Sequence, residues 1–267
     1  MKRASVKFSF PFLRVQQGNA KLSKLVHTVS LPSGFTCPGA KDCLTFTNRK
    51  TRKVKGKGEV YCYAAMIEAY SPAYHAIVWH NFDLINPIKD SVDGLLELYL
   101  SSMPAGVRIF RSGVSGDFMT PQHAQALYRL AKEMPATLFY AYTKSVPFFE
   151  QWLDTQGEVL PNFMVTCSLG GKYDELVLGR GYKHARIVKT EKEASELGME
   201  VDHDDTHAMQ PGKSFAHLVH GVQPKGSEWG KHARANGYNK KKQSDLLDVK
   251  TYRVYEEFLT RNSLAVT

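Results

Sequence analysis

The sequence of 267 residues predicts an α/β protein built as a partial (β/α)6 TIM-like barrel. Two observations support this fold class. Between residues 107 and 222, short apolar runs alternate with amphipathic segments, which is the pattern of parallel strands joined by helical crossovers. Residues rich in cysteine, glycine and hydroxyl groups follow the predicted strands, and the loops at the carboxyl ends of parallel strands face one crevice. An open doubly wound sheet fits the same alternation, but this grouping favours the barrel.

The chain contains about six predicted βα units, fewer than the eight of a complete barrel. We predict strands at residues 25–31, 107–111, 137–142, 162–166, 184–188 and 215–219. We predict helices at residues 62–80, 87–101, 121–132, 146–154, 191–197, 226–235 and 245–261, the last packing on the outside. Thr120 and Pro121 mark one helix start, since threonine caps a first turn and proline suits the first helical position. Residues 1–267 are thus expected to form one domain, with extensions at 1–24 and 240–267.

Composition restricts the class of protein. Hydrophobic residues make up 43% and charged residues 23% of the chain, as in ordinary globular proteins. No run of 18 apolar residues predicts a membrane-spanning helix, and the basic N-terminus lacks the apolar core of a signal peptide. We therefore expect a cytoplasmic protein without membrane contact, in which cysteines are thiols or metal ligands rather than disulfides.

The net charge of +9 is concentrated at residues 49–57 and 240–242. Such runs bind phosphate backbones, or they are solvated loops without a partner. The flanks of these runs lack the interleaved aromatic residues expected of single-strand binding. Nucleic acid, or a host protein, is the partner class that these segments suggest.

The four cysteines all follow predicted strands or their loops. Cys37 and Cys43 lie after the first strand, Cys62 after the loop that follows, and Cys167 at the end of the strand at 162–166. Thiolates select zinc, copper(I) or iron–sulfur clusters, and four of them suit a tetrahedral zinc or a cubane. The spacing Cys-x5-Cys-x18-Cys lacks the Cys-x2-Cys pair of structural zinc sites. We therefore predict one metal centre, a [4Fe–4S] cluster, with zinc as the alternative.

A second candidate segment runs from Arg111 to Phe118. Its residues Ser112, Gly113, Ser115, Gly116 and Asp117 are predicted to contact a cofactor, because glycines let the backbone approach a ligand and expose N–H groups. The alternative is a plain turn with Asp117 as a cap. Arg108 or Arg111 is expected to pair with Asp117 or with a bound anion.

The segment His203-Asp-Asp-Thr-His207 contains typical metal ligands, but an exposed acidic turn is the preferred interpretation. His217 and His220 are interpreted as core histidines. Motifs of nucleotide-binding loops, serine hydrolases and zinc proteases are absent from the sequence.

The pieces Gly18-Asn-Ala-Lys-Leu-Ser-Lys24, Thr36-Cys-Pro-Gly-Ala40, Cys62-Tyr-Ala64 and Ser115-Gly-Asp-Phe118 resemble the bacteriophage "gene product 88" family. The resemblance covers most of the chain. It implies a phage origin and action in the cytoplasm of an infected bacterium, and it implies no assigned biochemical role.

A cysteine-bearing loop after the first strand of a six-unit barrel, with a glycine-rich loop after the second, also resembles the radical S-adenosylmethionine enzymes. That resemblance implies that Cys37, Cys43 and Cys62 ligate the cluster and that residues 112–117 meet the cofactor. The Cys-x3-Cys-x2-Cys spacing of those enzymes is absent. If Cys167 is a fourth ligand, no iron is left for S-adenosylmethionine.

Three functional hypotheses follow. The first is a phage iron–sulfur protein with four cysteine ligands and no radical chemistry. The second is a zinc-stabilised nucleic-acid-binding protein, and the third is a radical S-adenosylmethionine enzyme with an open cluster iron. Whether the protein is an enzyme is left open by the sequence.

Overall fold

The computed structural model describes residues 11–19, 21–56, 58, 60–156, 159–236 and 244–263. Its strands are β1 (Gln16–Gln17), β2 (Val26–Val29), β3 (Thr45–Thr47), β4 (Val54–Gly56), β5 (Ile109–Ser112), β6 (Leu138–Thr143), β7 (Phe163–Ser168), β8 (His184–Val188) and β9 (Phe215–Leu218). Its helices are α1 (Tyr63–Tyr70), α2 (Pro72–Ile85), α3 (Val92–Ser102), α4 (Pro121–Glu133), α5 (Val146–Gln156), α6 (Asp174–Arg180), α7 (Glu191–Glu196), α8 (Glu228–Asn236) and α9 (Ser244–Arg261).

Seven strands form one sheet in the order β1-β2-β5-β6-β7-β8-β9. The first pair is antiparallel and every later pair is parallel. The six parallel strands thus follow one another in chain order, as predicted from the alternation of strands and helices. The sheet is open, because within the described residues β1 and β9 form its two edges. The predicted mixed α/β class is confirmed, whereas a closed barrel is not found.

Alternate side chains of each strand face the two sides of the sheet. On one side, Phe110, Phe139 and Phe163 pack against residues of α3, α4 and α5. On the other side, Ile109 and Leu138 pack against residues of the C-terminal helix. Burial of both faces explains why the central strands are almost continuously apolar.

Helix α9, predicted as an amphipathic helix that packs on the outside, lays its apolar side on one face of the sheet. Val254, Tyr255 and Phe258 are buried in the same cluster as the β5 and β6 side chains, and Tyr255 donates a hydrogen bond of 2.9 Å to the carbonyl of Ala136. The helix covers the face of the sheet that the crossover helices leave open. No helix among the described residues is long and apolar enough to cross a membrane.

Two local elements differ from the sequence prediction. The predicted helix at 62–80 is two helices, because Ser71 leaves the helical conformation, accepts a hydrogen bond from the Tyr74 N–H and precedes Pro72. The basic segment at 49–57 lies in a two-stranded hairpin of β3 and β4, with Lys57 outside the described residues. The predicted start of α4 is confirmed, since the Thr120 side chain accepts a hydrogen bond from the His123 N–H.

Candidate functional site

The loop that follows β2 lies across the carboxyl edge of the sheet. Ala40 forms an antiparallel bridge with Gly171, beyond the end of β7, and the Asp42 N–H donates a 3.0 Å hydrogen bond to the Gly170 carbonyl. Gly39 fits tightly, since a Cβ there would lie 2.0 Å from the Lys144 carbonyl oxygen. The loop that carries Cys37 and Cys43 is therefore held by backbone contacts to the loops after β6 and β7.

Three of the four cysteines come together at this edge. Cys37 and Cys43 lie on the loop after β2, and Cys62 lies at the N-terminus of α1, where its N–H donates a 3.2 Å hydrogen bond to Thr45 Oγ1. Burial raises the pKa of the Cys37 thiol, and Asp117, Cys62 and Cys43 raise it further. The three sulfurs are therefore close enough to influence one another's charge.

The pKa of Cys43 is raised to about 11, mainly by burial and also by Cys62. Lys144 opposes this increase. Its ammonium group donates hydrogen bonds to Ser168 Oγ at 2.5 Å and to the Leu169 carbonyl at 2.8 Å. A partly buried cation thus lies within electrostatic reach of the Cys43 thiol.

Cys167 lies apart from the other three cysteines. It is 1% exposed and packs with Val146, Leu169 and Val177 in a small apolar cluster. Burial raises the pKa of its thiol to about 12, with contributions from Asp117 and Glu150 and none from another cysteine. This is the environment of a small apolar core residue.

All four cysteines are free thiols in the structure. Within the described part of the chain, no three histidine, cysteine, aspartate or glutamate side chains are placed to hold one metal ion. The cysteines therefore do not form a preassembled tetrahedral site.

Asp117 holds three strand-end loops together. Its carboxylate accepts hydrogen bonds of 2.7 Å from the Phe118 N–H, 2.7 Å from Thr143 Oγ1, 2.8 Å from the Lys144 N–H and 3.0 Å from Ser145 Oγ. Its own N–H donates to the Thr36 carbonyl, one residue before Cys37. Both carboxylate oxygens are engaged within the protein, which matches the alternative interpretation of Asp117 as a cap.

The rest of the segment from Ser112 to Gly116 packs against the cysteine loop. Ser115 Oγ donates a 2.6 Å hydrogen bond to the Leu31 carbonyl and accepts one of 2.8 Å from the Tyr74 hydroxyl. Gly116 has φ +83°, and a Cβ there would lie 2.7 Å from Leu31 and from Thr36 Oγ1. Glycine is thus required at position 116 because a side chain there would collide with other residues of the protein. Contact of these residues with a cofactor stays a prediction.

A second polar group lies on the sheet face that α9 covers in part. Arg111 Nη1 contacts Asp205 Oδ2 at 2.5 Å, and the side chains are only 10% and 14% exposed. The hydroxyls of Tyr140 and Tyr142 donate to the same carboxylate at 3.1 and 3.3 Å. Burial lowers the pKa of Arg111, but Asp205 and the neighbouring tyrosines together raise it well above its ordinary value.

This pairing corrects two predictions. Arg111 pairs with Asp205 rather than with Asp117, and Arg108 instead lies with its guanidinium 5.9 Å from the ring of Tyr252. The turn at 203–207 is not an exposed acidic turn, because Asp205 reaches into the sheet face. Sequence reasoning missed Asp205 as a partner of Arg111, and its separation of 94 residues from Arg111 left no local signal.

His217 and His220, predicted to be core histidines, are partly buried on this face. His217 packs on the Tyr142 ring at 5.6 Å, and His220 packs on Tyr63 at 5.1 Å. Burial lowers the pKa of His220 to about 4, so this side chain is neutral at physiological pH. Tyr63 directly follows Cys62, and its hydroxyl donates to the Val114 carbonyl at 2.9 Å. The thiol site and the Arg111–Asp205 group are thus neighbouring parts of one strand-end region.

The buried carboxyl group of Glu68 forms hydrogen bonds at the start of the cysteine loop. Glu68 accepts hydrogen bonds from Trp79 Nε1 at 2.8 Å and from the Ser33 N–H at 3.3 Å. Its Oε1 lies 3.3 Å from His75 Nδ1, while His75 Nε2 lies 2.8 Å from the Arg49 carbonyl. Because Nε2–H donates to that carbonyl, Nδ1 carries no proton in the neutral imidazole, and it has no hydrogen-bond partner among the described residues. Burial raises the pKa of Glu68 to about 7.

These features define an open, mostly parallel α/β protein with a cluster of three thiols at the carboxyl edge of its sheet. The family model described as "Gene product 88" matches residues 12–242. The chain therefore belongs to the gene product 88 family, and the predicted relationship to this bacteriophage family is confirmed.

Two curated phage proteins are similar to this chain. The Gene 88 protein of Mycobacterium phage L5 is 25% identical over 153 residues, which cover 54% of this chain and 58% of that protein. The Gene 88 protein of Mycobacterium phage D29 is 24% identical over the same shares. The chain thus matches a little over half the length of these relatives. No solved structure matches the chain, and these comparisons do not support the resemblance to radical S-adenosylmethionine enzymes.

Proposed function

We propose that this phage protein binds an iron–sulfur cluster through three thiolates, Cys37, Cys43 and Cys62, in the cytoplasm of the infected bacterium. The observation that carries the proposal is that these three thiols lie on two separate segments joined by the hydrogen bond of the Cys62 N–H to Thr45 Oγ1, two residues after Cys43, and that Cys62 and Cys43 both raise the pKa of Cys37. That edge is where parallel α/β proteins place their binding groups. Cys167, predicted as the fourth ligand, is left out because it packs among apolar side chains.

The donor set fits a [4Fe–4S] cluster better than a single zinc ion. Each thiolate of a cubane binds a different iron, so its sulfurs need not converge on one point. Structural zinc requires four ligands around one ion, and the described residues supply no such group. Zinc is kept as the alternative for the elemental analysis below.

The surroundings of the thiols suit a negatively charged centre. Lys144 favours the ionised form of Cys43, and Cys62 lies at the N-terminus of α1, where the helix dipole favours negative charge. Cluster binding requires deprotonation of thiols whose pKa burial raises, so these favourable charges offset part of that cost. The cluster would supply electron transfer, or one iron as a Lewis acid.

Three protein ligands leave one iron without a thiolate, which gives the radical S-adenosylmethionine hypothesis its one structural support. The packing of Cys167 among apolar side chains is the observation that favours it. An amino group of the cofactor would have to bind atoms other than the Asp117 carboxylate, which already accepts four hydrogen bonds. Cleavage of S-adenosylmethionine by the reduced protein tests this second candidate. A protein that holds a cluster but does not cleave S-adenosylmethionine supports the first candidate, a cluster-binding protein without radical chemistry.

Elemental analysis of anaerobically purified and reconstituted protein tests the main proposal. We expect brown protein with about four iron and four sulfide ions per chain. Colourless protein that carries stoichiometric zinc, and that takes up no iron and sulfide on reconstitution, would overturn it.

A further inference from the structure

The basic hairpin is inserted between two of the proposed ligands. Strand β3 begins two residues after Cys43, and β4 ends six residues before Cys62. The base of the hairpin contacts the thiol site directly, because Thr45 Oγ1 accepts the hydrogen bond of the Cys62 N–H. At about 3.4 Å per residue, the start of the turn at Asn48 lies at most roughly 17 Å from Cys43.

The turn of the hairpin has a defined conformation. Asn48 Oδ1 accepts hydrogen bonds from the Lys50 N–H at 3.0 Å and from the Thr51 N–H at 2.8 Å. The backbone closes the turn, since the Asn48 N–H donates to the Lys53 carbonyl at 2.9 Å. The backbone positions that carry the cationic side chains are therefore ordered before any ligand binds.

Three of those cations have no partner in the described residues. The side chains of Lys50, Lys53 and Lys55 are exposed, and no carboxylate or carbonyl group pairs with their ammonium groups there. Arg49, in contrast, pairs with Asp83 through both guanidinium nitrogens and lies 4.7 Å over the Trp79 ring. The hairpin thus carries three positive charges that its own fold does not neutralise.

An exposed aromatic ring lies beside these lysines. Phe35 is 48% exposed, and its ring contacts Phe46 of β3 at 5.1 Å and Trp79 of α2 at 5.2 Å. It precedes Cys37 by two residues. Residues 49–57 themselves contain no aromatic side chain, but the fold supplies the exposed ring of Phe35 from a different segment.

We propose that the hairpin and Phe35 form a binding surface for single-stranded nucleic acid, DNA or RNA, next to the thiol site. The phosphates contact Lys50, Lys53 and Lys55, and a base stacks on the exposed Phe35 ring. A ring that stacks on one base favours a single strand over a duplex, whose bases are already stacked. The proposal does not depend on the cluster, since the hairpin and the aromatic contacts are properties of the folded chain.

The test is fluorescence anisotropy of the full chain with labelled oligo(dT) and oligo(rU) of roughly 20 nucleotides and a duplex of equal length, at about 50 and about 200 mM NaCl. We expect binding of at least one single strand that weakens with salt. In the variant K50E/K53E/K55E, the slope of log affinity against log salt should become shallower by about 2, from three lost phosphate contacts. Phe35→Ala should weaken binding about fivefold or more at both salt concentrations.

A charge-matched control uses exposed basic residues of other elements, K192E/K213E/R253E, and should bind within about twofold of the same chain without substitutions. The proposal is overturned by salt-insensitive binding, by equal losses in the two triple variants, or by tighter binding of the duplex. Comparison of the two oligonucleotides decides between DNA and RNA. Iron and sulfide analysis of the variant K50E/K53E/K55E distinguishes this proposal from the proposed cluster binding. The variant should keep its iron and sulfide even where it no longer binds nucleic acid.

Discussion

The Arg111–Asp205 pair offers a sharp test of how the face beneath α9 is held together. Asp205→Asn removes the negative charge and keeps one of the two oxygens, so it can still accept from one of the two tyrosine hydroxyls, which donate to different oxygens of the carboxylate. Asp205 has φ +64°, a conformation that asparagine also adopts readily, so the substitution adds no backbone strain. The measured effect therefore reports the loss of charge beside Arg111 together with one tyrosine hydrogen bond.

The size of that effect follows from burial. With side chains 10% and 14% exposed, Arg111 would be left as a nearly buried cation without its anion. Removal of one partner of a buried pair costs about 3–5 kcal/mol, and the retained oxygen places the expectation near about 3 kcal/mol. For a chain of this length, that corresponds to a fall of about 10 °C in melting temperature.

Equilibrium urea denaturation of the two proteins measures the difference in free energy of unfolding. The control is Asp93→Asn, which breaks the pair of Asp93 and Arg129, whose side chains are 86% and 41% exposed. An exposed pair contributes at most about 1 kcal/mol. If Asp205→Asn costs no more than Asp93→Asn, the assignment of the buried pair as a structural centre of this face is refuted.

Two further substitutions test the support of the cysteine loop. Burial raises the pKa of Glu68 to about 7 in the folded protein, so its contribution to stability is complete below about pH 4.5 and is lost as the pH rises through 7. Relative to Glu68→Gln, the parent chain should lose roughly 3 kcal/mol of unfolding free energy between about pH 5 and about pH 8. A difference between the two proteins that does not change with pH in urea denaturation would contradict this. Gly39→Ala should cost about 2 kcal/mol or more, because its Cβ would lie 2.0 Å from the Lys144 carbonyl oxygen. The matched control is Gly179→Ala in α6, where nothing lies within 4 Å of the added Cβ. This substitution should be neutral or stabilise the protein by up to about 1 kcal/mol. Equal effects of Gly39→Ala and Gly179→Ala in thermal denaturation would show that the cysteine loop is not closely packed.

Much of the fold could be predicted because its signals are local. The strand at 184–188 and the start of α4 at Thr120 and Pro121 agree with the structure, since apolar runs, capping residues and proline act within a few residues. The position of α9 could not be predicted in the same way. Its amphipathic pattern shows that one side is buried, but the pattern does not identify which surface buries it.

The site was predictable in part for the same reason. A position after a strand indicates the carboxyl edge of the sheet, and this is the reason why Cys37, Cys43 and Cys62 were predicted to lie in one region. It placed Cys167 with them only by topology, and the apolar packing around Cys167 depends on Val146 and Val177 from two other elements. Asp205 was missed because a turn rich in acidic residues normally faces solvent, and only the tertiary fold turns it towards Arg111.

The central claim is that three of the four cysteines hold the cluster. The most direct measurement is the iron and sulfide content of anaerobically reconstituted protein for Cys62→Ser and Cys167→Ser, each compared with the unsubstituted chain. We predict that Cys167→Ser retains about four iron and four sulfide ions per chain, whereas Cys62→Ser, although it remains folded by circular dichroism, loses them. Loss of iron from Cys167→Ser to the same extent as from Cys62→Ser, or full retention by both variants, would contradict this account.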